Sequence, residues 1–389
     1  MEELIYRDRR GTNASKWNRL SPRFTREDLL GLWVADMDFA APACVREALH
    51  KQVDFGVFGY DVTPDAYYEA FLHWEKTYHG YEPQRAWLRY SPGVVAGFNW
   101  LIQLLTKPGD GVLVQTPVYY PFLSAATDNG CRLVENELVN TAGVYTVDLA
   151  DFERKLTEEH VKVFLLCSPH NPVGRVWRRE ELAAMLELCR VHGVYVISDE
   201  IHHDFTHGGH KHIPAATVGE YDDMLVTLTA PSKTFNLAGL QTSNIFIPNR
   251  ILRKTFKKAI DQAGYSQLNT LGLVACQAAY EEGEPWLTEL KKYLLENLDF
   301  SRDYIERNLP GVHLIEPEGT YLIWLDFRDL GLPEEKLEHL ITKEAKLWLD
   351  SGAIFGSDGE GFERINIACP RTTLKEAFDR LAKALKSLE

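Results

Sequence analysis

The chain has 389 residues, of which 45% are hydrophobic and 25% are charged, as in ordinary globular proteins. This length exceeds what one simple core usually supports, so we expect two domains. The formal net charge of −14 argues against general electrostatic binding of nucleic acid or an anionic membrane, but it leaves room for a local basic pocket that binds a small anion.

Cysteine usage and hydropathy indicate a cytoplasmic protein. The six cysteines are scattered and include no Cys-x-x-Cys pair, which is typical of reduced proteins. Residues 1–8 are charged and lack the apolar core of a signal peptide. The longest uncharged run, residues 262–280, is too polar for a membrane-spanning helix. We therefore expect no membrane partner and no nucleic-acid partner.

Strands and helices alternate through the middle of the chain. The pattern predicts strands at 111–115 and 161–167, a helix at 178–192 that ends at Gly193, and strands at 194–198, 224–229 and 244–247. Strand–helix–strand units at this spacing favour a mainly parallel sheet, so the fold class is α/β.

The pattern changes after Gly283. It predicts a helix at 285–308, strands at 312–315 and 320–325, a helix at 334–349, a strand at 364–368 and a helix at 373–388. Strands and helices mixed in this order indicate a smaller α+β domain. We predict a large domain at 46–284 and a small domain made of 1–45 and 285–389, although the pattern alone allows the N-terminal forty residues to pack on either one.

Lys233 follows an apolar strand and has no charged neighbour from Met224 to Ile247. Burial disfavours the ammonium form, and a desolvated lysine is suited to form a Schiff base with a carbonyl cofactor. The alternative is a lysine whose side chain merely reaches solvent at the strand end. The local pattern does not choose between the two.

Four side chains follow four predicted strands at the edge where an open α/β sheet binds ligands. They are Tyr119, Asn171, Asp199 and Lys233. Together they offer what pyridoxal phosphate (PLP) requires: an amine for the aldehyde, a carboxylate for the ring nitrogen, a donor for the phenolate oxygen and a ring to stack on. Taken alone, the pattern around Asp199 favours a helix N-cap over a partner for the ring nitrogen.

Three further motifs have less specific patterns. Residues 90–97 form a glycine-containing turn into a helix, a common anion site, although many such turns bind nothing. His203 and His207 have i,i+4 spacing, but Gly208 and Gly209 interrupt a helix and no zinc motif is present. We expect no metal there, and a solvated loop with one inward histidine.

Arg364 lies in an otherwise apolar strand and is suited to clamp a carboxylate. The alternative is an ion-paired or edge-strand arginine. Arg371 is a second candidate for the same role.

The combination of motifs resembles the fold-type I PLP enzymes of the class I/II aminotransferase superfamily. The motifs are Pro169-His170-Asn171-Pro172-x-Gly174, Ser198-Asp199-Glu200-Ile201-His202, Ser232-Lys233-x-Phe235-Asn236-x-x-Gly239 and Arg364-Ile365-Asn366. Their order and spacing match across nearly the whole chain. Residues 33–39, 230–236 and 367–371 are most similar to the MalY/PatB-type C–S β-lyases, the cystathionine β-lyases.

The resemblance implies a large domain with a seven-stranded sheet and a role for each site residue. Lys233 would hold PLP covalently, Asp199 would pair with the pyridine nitrogen, Asn171 would donate to the phenolate oxygen and Tyr119 would stack on the ring. The further residues implied for cofactor binding are Val94, Val95 and Ser232 at the phosphate, together with His202 and Tyr60.

Two more consequences concern the substrate and the partner. Tyr60 would reach the phosphate of another subunit, which implies a homodimer with shared sites. Arg364 would bind the α-carboxylate of a small sulfur-containing amino acid, with Ala35 and Tyr60 beside it. The expected reaction is C–S β-elimination; the alternatives are an aminotransferase, and a lyase with an added regulatory protein-binding role.

Three residues depart from the wider aminotransferase pattern. Gln241 stands where an arginine often binds the phosphate, His202 where a tyrosine is common, and Ala230 where a serine or threonine is common. These departures favour the lyase branch and leave the phosphate ligands open.

Overall fold

The computed structural model describes residues 2–18 and 28–388; residues 1, 19–27 and 389, all assigned above to the predicted small domain, lie outside the described residues. The helices are α1 (Ser15–Asn18), α2 (Ala43–Phe55), α3 (Asp65–His79), α4 (Val94–Leu105), α5 (Pro121–Asp128), α6 (Leu149–Glu158), α7 (Arg179–His192), α8 (Pro231–Thr234), α9 (Arg250–Gln262), α10 (Thr270–Glu282), α11 (Glu284–Asn308), α12 (Glu334–His339) and α13 (Arg371–Leu385). The strands are β1 (Leu30–Gly31), β2 (Leu88–Ser91), β3 (Gly111–Val114), β4 (Arg132–Glu135), β5 (Val139–Thr141), β6 (Val144–Thr146), β7 (Val161–Cys167), β8 (Tyr195–Asp199), β9 (Leu225–Thr229), β10 (Ser243–Phe246), β11 (His313–Ile315), β12 (Leu322–Asp326), β13 (Leu347–Trp348), β14 (Asp350–Ser351) and β15 (Phe362–Asn366).

The central sheet has seven strands in the order β2-β10-β9-β8-β7-β3-β4. Six of these strands run parallel to one another, and β10 runs antiparallel to all six. The predicted α/β class with a mainly parallel seven-stranded sheet is therefore confirmed.

Helices cover both faces of this sheet, as the composition of β7 shows. Val163 and Leu165 pack in one buried cluster with α4 and α5, whereas Phe164 and Leu166 pack in another with α6 and α7. Successive side chains of a strand point to opposite faces, so a strand covered on both sides is apolar at nearly every position. This burial fixes the carboxyl ends of the strands, where the polar residues follow.

A second, antiparallel sheet has the order β11-β12-β15-β14. The N-terminal β1 pairs in parallel with β13, and Asp38 donates its backbone N–H to Ala368 O across 3.1 Å. Residues near the start of the chain thus pack on residues near its end. The division into domains at 46–284 and at 1–45 with 285–389 agrees with these contacts and stays a prediction.

The predicted helix at 334–349 is wrong over its second half. Helix α12 ends at His339, a π-helical turn covers Leu340–Glu344, and Lys346 has a φ of 54°. That left-handed residue breaks the helix. The apolar residues after it form β13 because β1 offers them a pairing partner.

Across residues 2–18 and 28–388, every helix is too short or too polar to cross a membrane.

Candidate active site

A cavity of about 220 Å³ lies at the carboxyl ends of the parallel strands, where the polar side chains were predicted to meet. The predicted site residues that line it are Ala35, Val94, Val95, Tyr119, Asn171, Asp199, His202, Ser232 and Lys233. The structure thus brings together all the predicted site residues except Arg364, which lies just behind Asn171, and Tyr60.

Lys233 projects into this cavity from the short helix α8, which follows β9 directly. Its Nζ donates to the backbone oxygen of Ala35 across 2.8 Å. Burial, followed by the positive charge of Arg364, lowers the pKa of Lys233 to about 8. A lysine with this pKa is partly a free amine at neutral pH, so it can act as a nucleophile or a base. The hydrogen bond to Ala35 keeps the amine in the cavity, which favours this interpretation over a side chain that reaches solvent.

Asp199 is the last residue of β8 and is 5% exposed. Its Oδ1 accepts a hydrogen bond from the backbone N–H of Ile201 at 3.1 Å, within a turn, so Asp199 does not cap a helix. Burial raises its pKa to about 7 because that single hydrogen bond and the charge of Lys233 offset only part of the desolvation. A cationic group in the cavity would stabilise the carboxylate.

Asn171 lies in the loop after β7 and is oriented by Arg364. Arg364 Nη1 donates to Asn171 Oδ1 across 3.0 Å, which leaves the amide Nδ2 of Asn171 as a donor. Arg364 Nη2 donates to Trp33 O across 2.9 Å and pairs with Asp350. Arg364 is thus ion-paired, its Nε has no hydrogen-bond partner among the described residues, and its role as a carboxylate clamp stays a prediction.

The N-terminus of α4 supplies an anion site at one end of the cavity. Gly93 precedes the helix with a φ of 99°, and no side chain caps the first turn. The free N–H groups and the helix dipole favour a phosphate there. Ser232, Gln241 and Thr242 line the same cavity. An anion site, a free amine and an uncompensated carboxylate together fit PLP.

Two predicted residues lie away from this cavity. Tyr60 is 98% exposed in the connection between α2 and α3. Arg371, the second candidate for the carboxylate, is the first residue of α13, where Nε donates to Asn297 Oδ1 across 2.7 Å. The structure does not place Arg371 in the site.

Residues that no sequence motif marks complete the walls of the cavity. Cys167, Ile201, Ala238 and Thr242 line the cavity. Tyr321, which precedes β12, donates its hydroxyl to Ala35 O across 3.1 Å. No motif marks Tyr321, because it reaches the site from the second sheet.

The expected loop with one inward histidine is wrong. His202, His203, His207 and His212 are all buried, and of the histidines in residues 202–212 only His210 is exposed. His212 Nε2 bonds Glu200 Oε2 across 2.8 Å, and His207 Nε2 bonds the backbone oxygen of Thr320. These bonds hold the loop against the protein.

The sheet and the lysine–aspartate–asparagine set define a fold-type I PLP enzyme. The chain matches the family "Aminotransferase class I and II" over residues 27–381, and it belongs to that PLP-dependent family.

Individual relatives cover nearly the whole chain. A cystathionine β-lyase of Bacillus subtilis, PatB, is 42% identical over 379 residues, which are 97% of this chain and 98% of the relative. The crystal structure of cystalysin from Treponema denticola, which contains PLP, has a TM-score of 0.93 at 36% identity and covers 99% of both chains. A PLP-bound C–S lyase of Staphylococcus hominis has a TM-score of 0.91 at 36% identity, covering 98% of this chain and 97% of that one.

Proposed function

We propose that the protein is a PLP-dependent C–S β-lyase that cleaves L-cystathionine, or a related cysteine S-conjugate, to a thiol, pyruvate and ammonia. Lys233 carries this proposal: it offers an amine with a pKa of about 8 in a cavity shared with Asp199. The full-length similarity to PatB and to the Staphylococcus hominis C–S lyase supports β-elimination as its chemistry.

When bound, PLP supplies an aldehyde for the substrate amine and a ring that withdraws electrons from the substrate Cα. The Asp199 carboxylate would keep a proton on the ring nitrogen, and that positive charge would stabilise the carboxylate in turn. The Asn171 Nδ2 group, fixed by Arg364 at Oδ1, would donate to the phenolate oxygen. Tyr119, which lines the same cavity, would stack on the ring.

Lys233 Nζ would then move one proton. It takes the proton from the substrate Cα as a base and, as an acid, delivers it to the departing sulfur. The Cβ–S bond breaks and the thiol leaves. The remaining three-carbon amino unit takes up one water and ends as pyruvate and ammonia, so L-cystathionine and water give homocysteine, pyruvate and ammonia.

Arg364 would bind the substrate α-carboxylate. It is 2% exposed, already pairs with Asp350 and lies with its guanidinium 4.9 Å from the centre of the Phe355 ring. A planar guanidinium held on several sides offers its remaining N–H groups in one orientation, which suits a carboxylate. Ala35 lies beside Lys233 and would contact the substrate.

An aminotransferase is the second candidate, because the matched family takes its name from that activity. The two reactions differ in where the proton returns. Incubation of the holoenzyme with L-cystathionine and no keto acid separates them. Stoichiometric pyruvate and homocysteine are expected; amino transfer without pyruvate would establish the alternative.

We also propose a cytoplasmic homodimer in which Tyr60 reaches the partner subunit's cofactor phosphate. The segment around Tyr60 exposes Phe55, Phe58 and Val62, and such apolar patches typically mark interfaces. All six cysteines are free, as suits a reducing compartment. Analytical sedimentation should show a dimer. Tyr60→Phe should weaken PLP binding but leave the dimer intact. A monomer with full activity would contradict this proposal.

A further inference from the structure

A second cluster of donor side chains lies outside the cavity described above. His79 is the last residue of α3, and His203 and Asp204 lie in the turn after β8. Their side chains are 5%, 1% and 3% exposed. One donor atom from each lies within 4.8 Å of the other two.

The spacing of these atoms is close to that of a metal site. His79 Nε2 lies 2.9 Å from Asp204 Oδ1, and His203 Nε2 lies 3.1 Å from Asp204 Oδ2. Zinc ligands at about 2.0–2.1 Å in a tetrahedron lie roughly 3.3 Å apart. The rings of His79 and His203 stack with centroids 4.1 Å apart and planes at 20°, so one ring would have to turn before both could bind the same ion.

His203 is the observation that points to a ligand. Both of its ring nitrogens are buried; Nδ1 has no hydrogen-bond partner among the described residues, and Nε2 approaches Asp204 Oδ2 at 3.1 Å without a well-formed hydrogen bond. A buried polar atom that is not fully hydrogen-bonded destabilises the folded state, so native proteins rarely keep one. A metal ion on Nε2 would give that nitrogen a ligand bond.

The surroundings of Asp204 resemble the supporting shell of a metal centre. Trp74 Nε1 donates to Oδ1 across 3.1 Å, and Thr234 Oγ1 donates to Oδ2 across 2.6 Å. Such hydrogen bonds orient a carboxylate ligand and commonly accompany metal sites. The cluster borders a cavity of about 560 Å³, which offers an entry path and room for a water as fourth ligand.

We propose that His79, His203 and Asp204 bind one divalent transition-metal ion per chain, with Zn²⁺ as the ion of best fit. Two imidazole nitrogens and one carboxylate form a donor set typical of Zn²⁺ with one open position. The ion would join the end of α3 to the turn after β8. His79 and Asp204 in these two elements are 125 positions apart in the sequence. The ion would also brace Thr234, the neighbour of Lys233, through Asp204.

The test uses the PLP-loaded enzyme, stripped of metal with a chelator and desalted to remove free cofactor. Calorimetric titration with ZnCl₂ should give one equivalent per chain. His203→Gln and His79→Gln should each weaken binding at least tenfold, because each removes a ligand. His210→Gln is the matched control, since His210 is exposed and lines the same cavity, and it should bind as the wild type does.

Thermal unfolding gives a second readout. Zn²⁺ should raise the unfolding midpoint of the wild type and of His210→Gln, but not that of His203→Gln. The PLP absorbance of each variant reports whether that variant folds. If His203→Gln does not fold, His79→Gln serves as the test variant. Two results would overturn the proposal: no Zn²⁺ binding at all, which would leave a hydrogen-bonded cluster only, or binding lost in His210→Gln and kept in the other two variants.

Discussion

Arg364 Nη1 donates to Asn171 Oδ1 across 3.0 Å, and this hydrogen bond joins residues 193 positions apart. Arg364 belongs to β15 of the second sheet, whereas Asn171 follows β7 of the central sheet. The proposed carboxylate clamp and the proposed donor to the phenolate oxygen therefore hold each other in place. If both proposed roles hold, a change at either residue should disturb the other's position.

Replacing Lys233 tests the site most directly. Lys233→Ala should abolish the covalent link to PLP, seen as loss of the absorbance band near 420 nm and of borohydride labelling at this position. Lyase activity should fall at least 10²–10⁴-fold, the usual contribution of a positioned base. Lys211→Ala removes an exposed lysine and should change neither property.

Replacing Arg364 should raise KM for the substrate. Arg364→Lys keeps the charge but loses the planar guanidinium with its paired N–H donors. The value of kcat/KM should therefore fall roughly 10–150-fold, as expected for a lost charge-assisted hydrogen bond of about 1.5–3 kcal/mol. Steady-state kinetics with L-cystathionine measure this change. Arg371→Lys is the control, since Arg371 lies on α13 outside the site; an unchanged KM in Arg364→Lys would contradict the proposed role.

Asp199 should make the cofactor-free protein sensitive to pH. Its pKa is about 7 in the folded chain against an ordinary value of 3.8. Between these values the folded state holds a proton that the unfolded state has lost, so stability falls as pH rises through this window and stays low above it. The loss is at most about 4 kcal/mol.

Asp199→Asn removes that ionisation. Its melting temperature should therefore exceed that of the cofactor-free wild type at pH 8 and approach it near pH 4. If the melting temperatures of the variant and the wild type differ by the same amount at every pH, Asp199 is not the group responsible for the pH dependence. In the holoenzyme the same variant should lose activity, because an amide cannot hold the proton on the ring nitrogen as a carboxylate does.

The amine of Lys233 should gain reactivity at an unusually low pH. With a pKa of about 8, the unprotonated fraction in the cofactor-free protein rises through pH 8, whereas an ordinary lysine has a value of 10.5. Mass spectrometry of pulse labelling with an amine reagent should show a midpoint near 8 at position 233. Lys211 supplies the internal standard, and equal midpoints for the two would refute the desolvation of Lys233.

A buried ion pair near the N-terminus should matter for stability. Lys16 Nζ lies 2.7 Å from Asp38 Oδ2, with side chains 1% and 5% exposed. Lys16→Met leaves a buried carboxylate without this partner and should cost about 3–5 kcal/mol, while Lys16→Met with Asp38→Leu should recover part of it. Denaturant unfolding measures both.

The exposed pair Lys375–Asp379 provides the comparison for that measurement. Lys375→Met should cost about 0.5 kcal/mol or less, because solvent screens such pairs. Equal costs for the two lysines would show that burial does not strengthen the role of Lys16.

The strands of the central sheet could be predicted from the sequence because their apolar runs are visible within each strand itself. The predicted strand at 161–167 coincides with β7, since burial on both faces makes it apolar throughout. The helix predicted at 285–308 matches α11 within one residue. Residues that follow such strands, among them Lys233, could therefore be placed together at the carboxyl-terminal edge of the sheet.

Predictions failed where distant segments decide the outcome. Residues 347–348 continue the apolar spacing of a helix, yet they form β13 because β1 is available more than 300 positions earlier. His79 joins His203 and Asp204 from another element, and no spacing rule relates them. The proposed role of Tyr60 needs a second copy of the chain, so it stays a prediction.

The contact between Arg364 Nη2 and Trp33 O spans 331 positions, and it carries a consequence for synthesis. At translation rates of about 5–20 residues per second, the ribosome needs roughly 15–70 s to make Arg364 after Trp33. During that interval the segment around Trp33 lacks its final partner, while the strands of the central sheet emerge in turn. A nascent chain stalled before Arg364 would hold Lys233, the proposed catalytic lysine, but would lack the arginine proposed to bind the substrate carboxylate.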